Sequence, residues 1–335
     1  MAEFADSPDR LATVFGGSGF VGRHIVRALA RDGWRIRVAV RRPDLAGFIR
    51  PFGVVGQVEL VQANLRYPES VERAIEGADA VVNAAGVKRQ RGRQTYEAVH
   101  VAGAEAVARA SAASGIARLV HVSGIGADAG SPNAYIASKG RGEQAVAAAL
   151  ASATILRPSV MFGQDDDFLN RFGALARALP VLPMFGGGAT RLQPAFVGDV
   201  ALAALAALKD SATAGKVYEL GGPEVMSLRE IMALTLKVIE RRRPLVPLPF
   251  GLSLALARVT EIASALSLGA FPKTLTTTRD EIELLRHDNV VSAAALADGR
   301  TLRGLGVEPQ GVEAIAPSYL YRFRKTGQYA ARRAT

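Results

Sequence analysis

The stretch LATVFGGSGFVGRHIVRALAR, residues 11–31, decides the fold. Residues 11–15 are a short run of strand-forming side chains, Gly16, Gly19 and Gly22 punctuate the next seven, and Val21–Arg31 carries the apolar period of a helix. In a strand, turn and helix of this kind the first glycine permits the tight turn and the second lets backbone approach a pyrophosphate. The third lets the helix pack closely on its strand, and the helix N-terminus faces the phosphates. The stretch predicts a dinucleotide site built from Gly16, Ser18, Gly19, Phe20, Val21 and Gly22.

Working outward, the second predicted strand, Arg35–Val40, runs into Arg41 and Arg42. A protein that prefers NAD usually places an acid there for the ribose 2′-hydroxyl, whereas a guanidinium pairs with a 2′-phosphate. NADP(H) is therefore favoured over NAD(H), the alternative being that both arginines are solvated residues at a strand end.

Further strands are expected at Val58–Gln62, Ala80–Ala84, Leu119–Ser123 and Thr154–Arg157, alternating with helices at Glu69–Ile75, Thr95–Ser114 and Tyr135–Leu150. This alternation is the mark of a parallel sheet covered on both faces. After Pro158 it fails: Gly and Pro accumulate over 180–194, a strand is expected at Val217–Leu220, and Ser227 with Glu230 forms a capping box ahead of Ile231–Ile239. The fold expected is α/β, a Rossmann-type doubly wound parallel sheet over residues 10–160, with possible returning segments near 190–220. A smaller mixed lobe follows over 161–330.

Composition narrows the classes of function. The 335 residues include no cysteine, which excludes disulfides, thiolate zinc sites and a cysteine nucleophile and fits a reducing compartment. The net charge of +10 gathers at Arg35–Arg42, Lys88–Arg93, Arg241–Arg243 and Arg322–Arg333 and suits an anionic partner. The few aromatics do not interleave with these runs and no nucleic-acid motif is present, so nucleic acid is not expected. The first ten residues read as neither secretory signal nor transit peptide, which points to a cytosolic or already processed chain. The most apolar stretch, 244–268, contains Arg258, Glu261 and three early prolines. It is a poor membrane span, and a peripheral contact with lipid or a partner is left open.

Twelve residues beyond Ser123, YIASK at 135–139 sets Tyr135 and Lys139 four apart, on one helix face. An ammonium beside a phenol favours the phenolate, which predicts Tyr135 as a general acid and base near neutral pH, with Ser123 able to hydrogen-bond a reacting oxygen.

With GGSGFVG, Asn64-Leu65, NAAG at 83–86, HVSG at 121–124, YIASK and ILRPSVMFG at 155–163, the chain resembles the extended or atypical short-chain dehydrogenase/reductase superfamily. The resemblance implies that Asn64 and Leu65 lie by the adenine and Ala84, Ala85 and Gly86 by the ribose. It implies that Val122, Tyr135, Lys139, Pro158, Ser159 and Val160 lie toward the nicotinamide. Residues 166–201, the run PLPFGLSLALA and DEIELLRHDNVVS at 280–292 resemble the branch of dehydrogenase-like accessory subunits of respiratory complex I. That branch implies tightly held NADPH, other complex I subunits as partners, and a peripheral place near the membrane and the quinone site. The location would be the cytoplasmic face of a bacterial inner membrane, or the matrix face for an organellar protein. One departure stands out: His100 occupies the position usually held by Asn in the family's V-N-V-x-G segment. Two functions are expected from this reading, a non-catalytic NADPH-holding subunit and, alternatively, a working oxidoreductase or epimerase using Ser123, Tyr135 and Lys139.

Overall fold

The computed structural model describes residues 10–267, 272 and 275–327. The N-terminal segment 1–9, Leu268 and the basic tail beyond 327 lie outside the described residues. The chain divides into two compact units: the first comprises 1–158, 197–220 and 291–308, the second 159–196, 221–290 and 309–335. The return of Val291–Glu308 to the first unit is a feature that a linear reading of the second half does not register.

Seven parallel strands form the first unit's sheet: β1 (Leu11–Phe15), β2 (Arg35–Val40), β3 (Val58–Gln62), β4 (Ala80–Asn83), β5 (Leu119–Val122), β6 (Thr154–Pro158) and β7 (Val217–Leu220). Their order is β7-β6-β5-β4-β1-β2-β3. The sequence reverses direction beside β1, the point at which doubly wound sheets bind ligands at their carboxyl ends. Helices α1 (Phe20–Arg31), α2 (Pro68–Ile75), α3 (Ala102–Ala113), α4 (Ala134–Ala149) and α6 (Val197–Lys209) cover it. Phe15, Val71, Ile75, Val81, Val107 and Leu119 make one core cluster from α2, α3 and the sheet, while α1 and α6 pack on each other.

The helix expected over 95–114 begins differently. Glu97–Val101 is a π-turn, and only from Ala102 does the regular helix run. The widened turn carries His100, and such turns cluster where a side chain must be re-aimed. Against it lies Gly142 of α4, where a Cβ would overlap the His100 carbonyl oxygen.

In the second unit α5 (Leu169–Ala178) and α7 (Leu228–Val238) pack around Phe162, Leu169, Leu182, Ile231, Leu320 and Phe323. The Ser227–Glu230 capping box is present, and a second, at Thr278 and Glu281, starts α9 (Arg279–Leu284). Between them α8 (Phe250–Leu266) buries Ser253 and Ala257 but leaves Leu252, Leu256, Val259, Ile262 and Leu266 exposed at helical spacing. The apolar run is thus a helix with one open stripe rather than a core helix. None of the described helices is long and apolar enough to cross a membrane.

Candidate functional site

The glycine turn is built as its sequence demands. Gly16 has φ +74°, a left-handed conformation that costs a side chain about 1 kcal/mol or more. A Cβ there would also lie 2.8 Å from Ala85 Cα in the loop after β4. At Gly22 a Cβ would overlap the Gly16 carbonyl oxygen, so the first turn of α1 can seat only without one. Gly19 caps α1 with no side-chain bond and no acid lies in the first turn, leaving the positive end of the helix open to an anion. Ser18, Phe20 and Val21 are half-buried beside it. Among the described residues this cradle, which any side chain would fill, fits a pyrophosphate.

At the end of β2 the two arginines differ. Arg42 pairs with Asp44 at 3.2 Å, both exposed, whereas Arg41 is exposed and makes no ion pair among the described residues. Only Arg41 is therefore uncommitted toward a 2′-phosphate. After β3, the Asn64 side-chain oxygen accepts from Arg66 N–H at 3.2 Å and Leu65 packs on the first unit's core and against Gly103. Ala84 donates its N–H to Phe15 at 3.0 Å, and Ala85 donates to the Asn83 side chain at 3.2 Å.

Asn133 caps α4 by accepting from Tyr135 and Ile136 N–H, which fixes the start of the helix that carries Tyr135 and Lys139. Lys139 is buried; its ammonium donates to Val122 C=O at 3.4 Å. Burial pulls it down to about 8, opposed by Glu143 one turn further on. Burial pushes the Tyr135 phenol up. This runs against the expectation of a phenolate near neutral pH, because burial disfavours the charged phenolate. Ser123 follows β5, and its buried hydroxyl has no hydrogen-bond partner among the described residues. An orphaned buried hydroxyl is expensive to leave so, and it fits a ligand oxygen.

His100 is fully engaged. Its Nε2 accepts from Val87 N–H at 3.0 Å, so Nδ1 carries the proton and donates to Ser138 Oγ at 2.9 Å, which in turn donates to Tyr135 C=O at 2.7 Å. The ring stacks on Tyr96 and meets Tyr135 edge-on, with centroids 5.5 and 5.6 Å away. The relay ties the loop after β4 to the helix of Tyr135 and Lys139. His121 is pinned by Asn83, whose amide donates to its Nδ1 at 3.2 Å. His100 stands out in the sequence, whereas Asn83 and Ser138 lie within the NAAG and YIASK motifs, whose spacing gives neither of them a role.

Both imidazoles are held down to about 3, by burial first and by Lys139 second. A histidine near 6.5 when unfolded then binds more protons unfolded than folded, so stability falls as the pH drops from about 6.5 toward 3. Each imidazole accounts for about 2 kcal/mol between pH 6.5 and 5. A His100→Asn chain should lose roughly half of the decline in urea midpoint over that range; an unaltered slope would refute the assignment.

Pro158 ends β6 in the first unit. The Ser159 hydroxyl, next along the chain, donates to Asn289, whose Oδ1 also accepts from Val160 N–H at 2.9 Å. Its side chain is committed to the DNVVS segment, and Asp288 beside it holds Arg191 by backbone and side chain at 2.9 and 2.8 Å. His287 is exposed, and no cluster of metal-ligating residues occurs among the described residues.

The model of the NAD dependent epimerase/dehydratase family matches residues 12–221. A relative from Arabidopsis thaliana, NADH dehydrogenase [ubiquinone] 1 alpha subcomplex subunit 9, mitochondrial, is 33% identical, covering 95% of this chain and 79% of its own. The chain belongs to this family, in the branch of the subunit 9 proteins. The ceramide reductase of Caulobacter vibrioides is 41% identical over 175 residues, 52% of this chain and 53% of that protein. Among solved structures, the NADPH-dependent quinone oxidoreductase QOR2 of Escherichia coli, complexed with NADPH, aligns with a TM-score of 0.70 at 18% identity. It covers 92% of this chain and 99% of its own, and shows the shared fold.

Proposed function

We propose that this chain is an accessory subunit of a respiratory NADH:quinone oxidoreductase that holds NADPH to stabilise its own fold and the peripheral arm, without turning the cofactor over. The observation that carries the reading is similarity to a subunit 9 protein along 95% of the chain. The Gly16–Gly22 cradle would take the pyrophosphate, Arg41 the 2′-phosphate, Asn64 and Leu65 the adenine, and Ala84–Gly86 with Tyr135 and Lys139 the riboses. Val122, Pro158, Ser159 and Val160 would flank the nicotinamide, Ser159 through its backbone. A ligand bound only by the folded state stabilises it by mass action. Exposed apolar stripes of this length mark partner surfaces, and α8 supplies one for other subunits of the complex. The subunit would lie peripherally on the cytoplasmic face of a bacterial inner membrane, or the matrix face in an organelle.

Two variants test it. Tyr135→Phe should assemble into an intact complex of full quinone-reducing activity. Arg41→Ala should weaken NADPH binding roughly 10- to 100-fold, the value of a charge-assisted phosphate contact, while leaving NADH binding unchanged. Purified chain that turned over NADPH with a carbonyl substrate at enzyme-like rates would overturn the structural role.

A second reading has its own support in the 41% identity to the ceramide reductase. There the bound cofactor would supply a hydride to a carbonyl carbon. The Ser123 hydroxyl would hold the carbonyl oxygen, and Tyr135, kept protonated by burial, would donate the proton. Loss of all such turnover in Tyr135→Phe would favour it.

A further inference from the structure

In the second unit, cations gather at a corner that holds a single carboxylate, Glu240. Arg243 Nε donates to Ala176 C=O near the end of α5, and Arg324 Nε donates to Val238 C=O at the end of α7, both at 3.0 Å. Helix carbonyl ends attract cations, which accounts for these two. The chain leaves α7 through Glu240, whose left-handed φ of +54° swings Arg241, Arg242 and Arg243 onto the same corner. The Glu240 carboxylate is already taken by Arg324, at 3.2 Å.

Arg241, Arg242, Arg243 and Lys325 line a surface hollow of about 250 Å³ with Glu240, and Arg177 lines a second of about 280 Å³ at the end of α5. Arg177, Arg242 and Lys325 make no ion pair among the described residues, and Arg241 donates only to Phe323 C=O, at 2.7 Å. The Arg241 guanidinium is pulled below its ordinary range by burial, then by Arg243 and Arg177. Like charges held this close without a counter-charge are repulsive, and a polyvalent anion would relieve them.

We propose that this corner binds a phosphate-bearing anion. Several guanidinium groups converging on one hollow call for more than a single negative charge, and their planar forks match phosphate oxygens in pairs. The site is separate from the glycine turn, which belongs to the first unit. The phosphate comes either from a lipid headgroup or from a free phosphate or diphosphate.

The test uses the full chain saturated with NADPH, so that the glycine turn is filled. Inorganic pyrophosphate is titrated in by calorimetry, and phosphatidylcholine vesicles with or without phosphatidylglycerol are floated with the protein. The variant Arg177→Gln/Arg242→Gln/Lys325→Gln touches no residue that holds a backbone carbonyl. It should weaken binding roughly tenfold or more, while the control Arg31→Gln/Arg50→Gln/Arg73→Gln, of equal charge change, binds as the parent does. Binding of pyrophosphate alone assigns a free phosphate, and binding only to vesicles with phosphatidylglycerol assigns a headgroup; either supports the site. Binding of neither, or equal loss in the control, overturns it. Because retention of NADPH is read separately, failure here leaves the accessory-subunit reading where it stands.

Discussion

Gly22→Ala should abolish retention of the proposed NADPH and lower stability by about 2 kcal/mol. Within a helix, alanine is favoured over glycine by about 1 kcal/mol, which alone would make the change stabilising. The added Cβ, however, would overlap the Gly16 carbonyl oxygen, and Gly16 itself sits where even a Cβ would come within 2.8 Å of the Ala85 backbone. Neither wall is a flexible side chain, so the turn must shift. Overpacking a rigid wall costs about 1–3 kcal/mol, and its upper end outweighs the helix gain. For the cofactor the consequence is larger. The amides of the turn and of the α1 N-terminus are aimed by the backbone alone, since no side chain caps the helix. Displacing them weakens at least two charge-assisted bonds of about 1.5–3 kcal/mol each, a loss of roughly 100-fold or more. The check is the NADPH content of purified protein, with urea unfolding in parallel. Stoichiometric cofactor in Gly22→Ala would show that the turn is not where the pyrophosphate binds.

What could be read in advance was whatever has a local period. The strands at 11–15, 35–40 and 58–62 carry the same bounds in sequence and structure because short β-branched runs between turn residues admit little else. The Ser227–Glu230 capping box was legible for the same reason, its chemistry being complete within four residues. The π-turn at Glu97–Val101 was not, because it is a response to α4, whose Gly142 abuts the His100 carbonyl from 42 positions away. Nor was the commitment of Ser159, whose partner Asn289 is 130 residues distant. The phenol failed for a different reason. The four-residue spacing puts Tyr135 and Lys139 on one face, but the sign of a pKa shift depends on how much water each retains. Burial moves both toward their neutral forms.

Lys139 owes part of its charge to Glu143, and the second large effect follows from what holds that carboxylate. Glu143, one turn along α4, is 6% exposed and is gripped by Arg157 of β6, whose Nε and Nη2 donate to its two oxygens at 2.9 and 2.5 Å. Arg157 also lies 3.8 Å from Glu219 on β7, so it fastens α4 to two adjacent strands. Arg157→Met should therefore lower stability by about 3–5 kcal/mol, because it strands a buried carboxylate rather than merely removing an ion pair. Glu143→Leu/Arg157→Met should recover most of that loss, since replacing both partners with apolar groups is often close to neutral. The double variant carries a cost elsewhere. Glu143 is what holds Lys139 up against burial, so without it the ammonium should titrate below about 8. A lysine depressed in the folded state makes stability rise with pH from its folded value to its unfolded value near 10.4. That rise should begin at lower pH in the double variant than in the parent. Urea midpoints across pH 6–10, with NMR titration of the lysine Cε signals, measure both. A double variant as unstable as Arg157→Met would show that Arg157 acts through Glu219 and β7 instead, and an unmoved Lys139 would separate the ion pair from the site altogether.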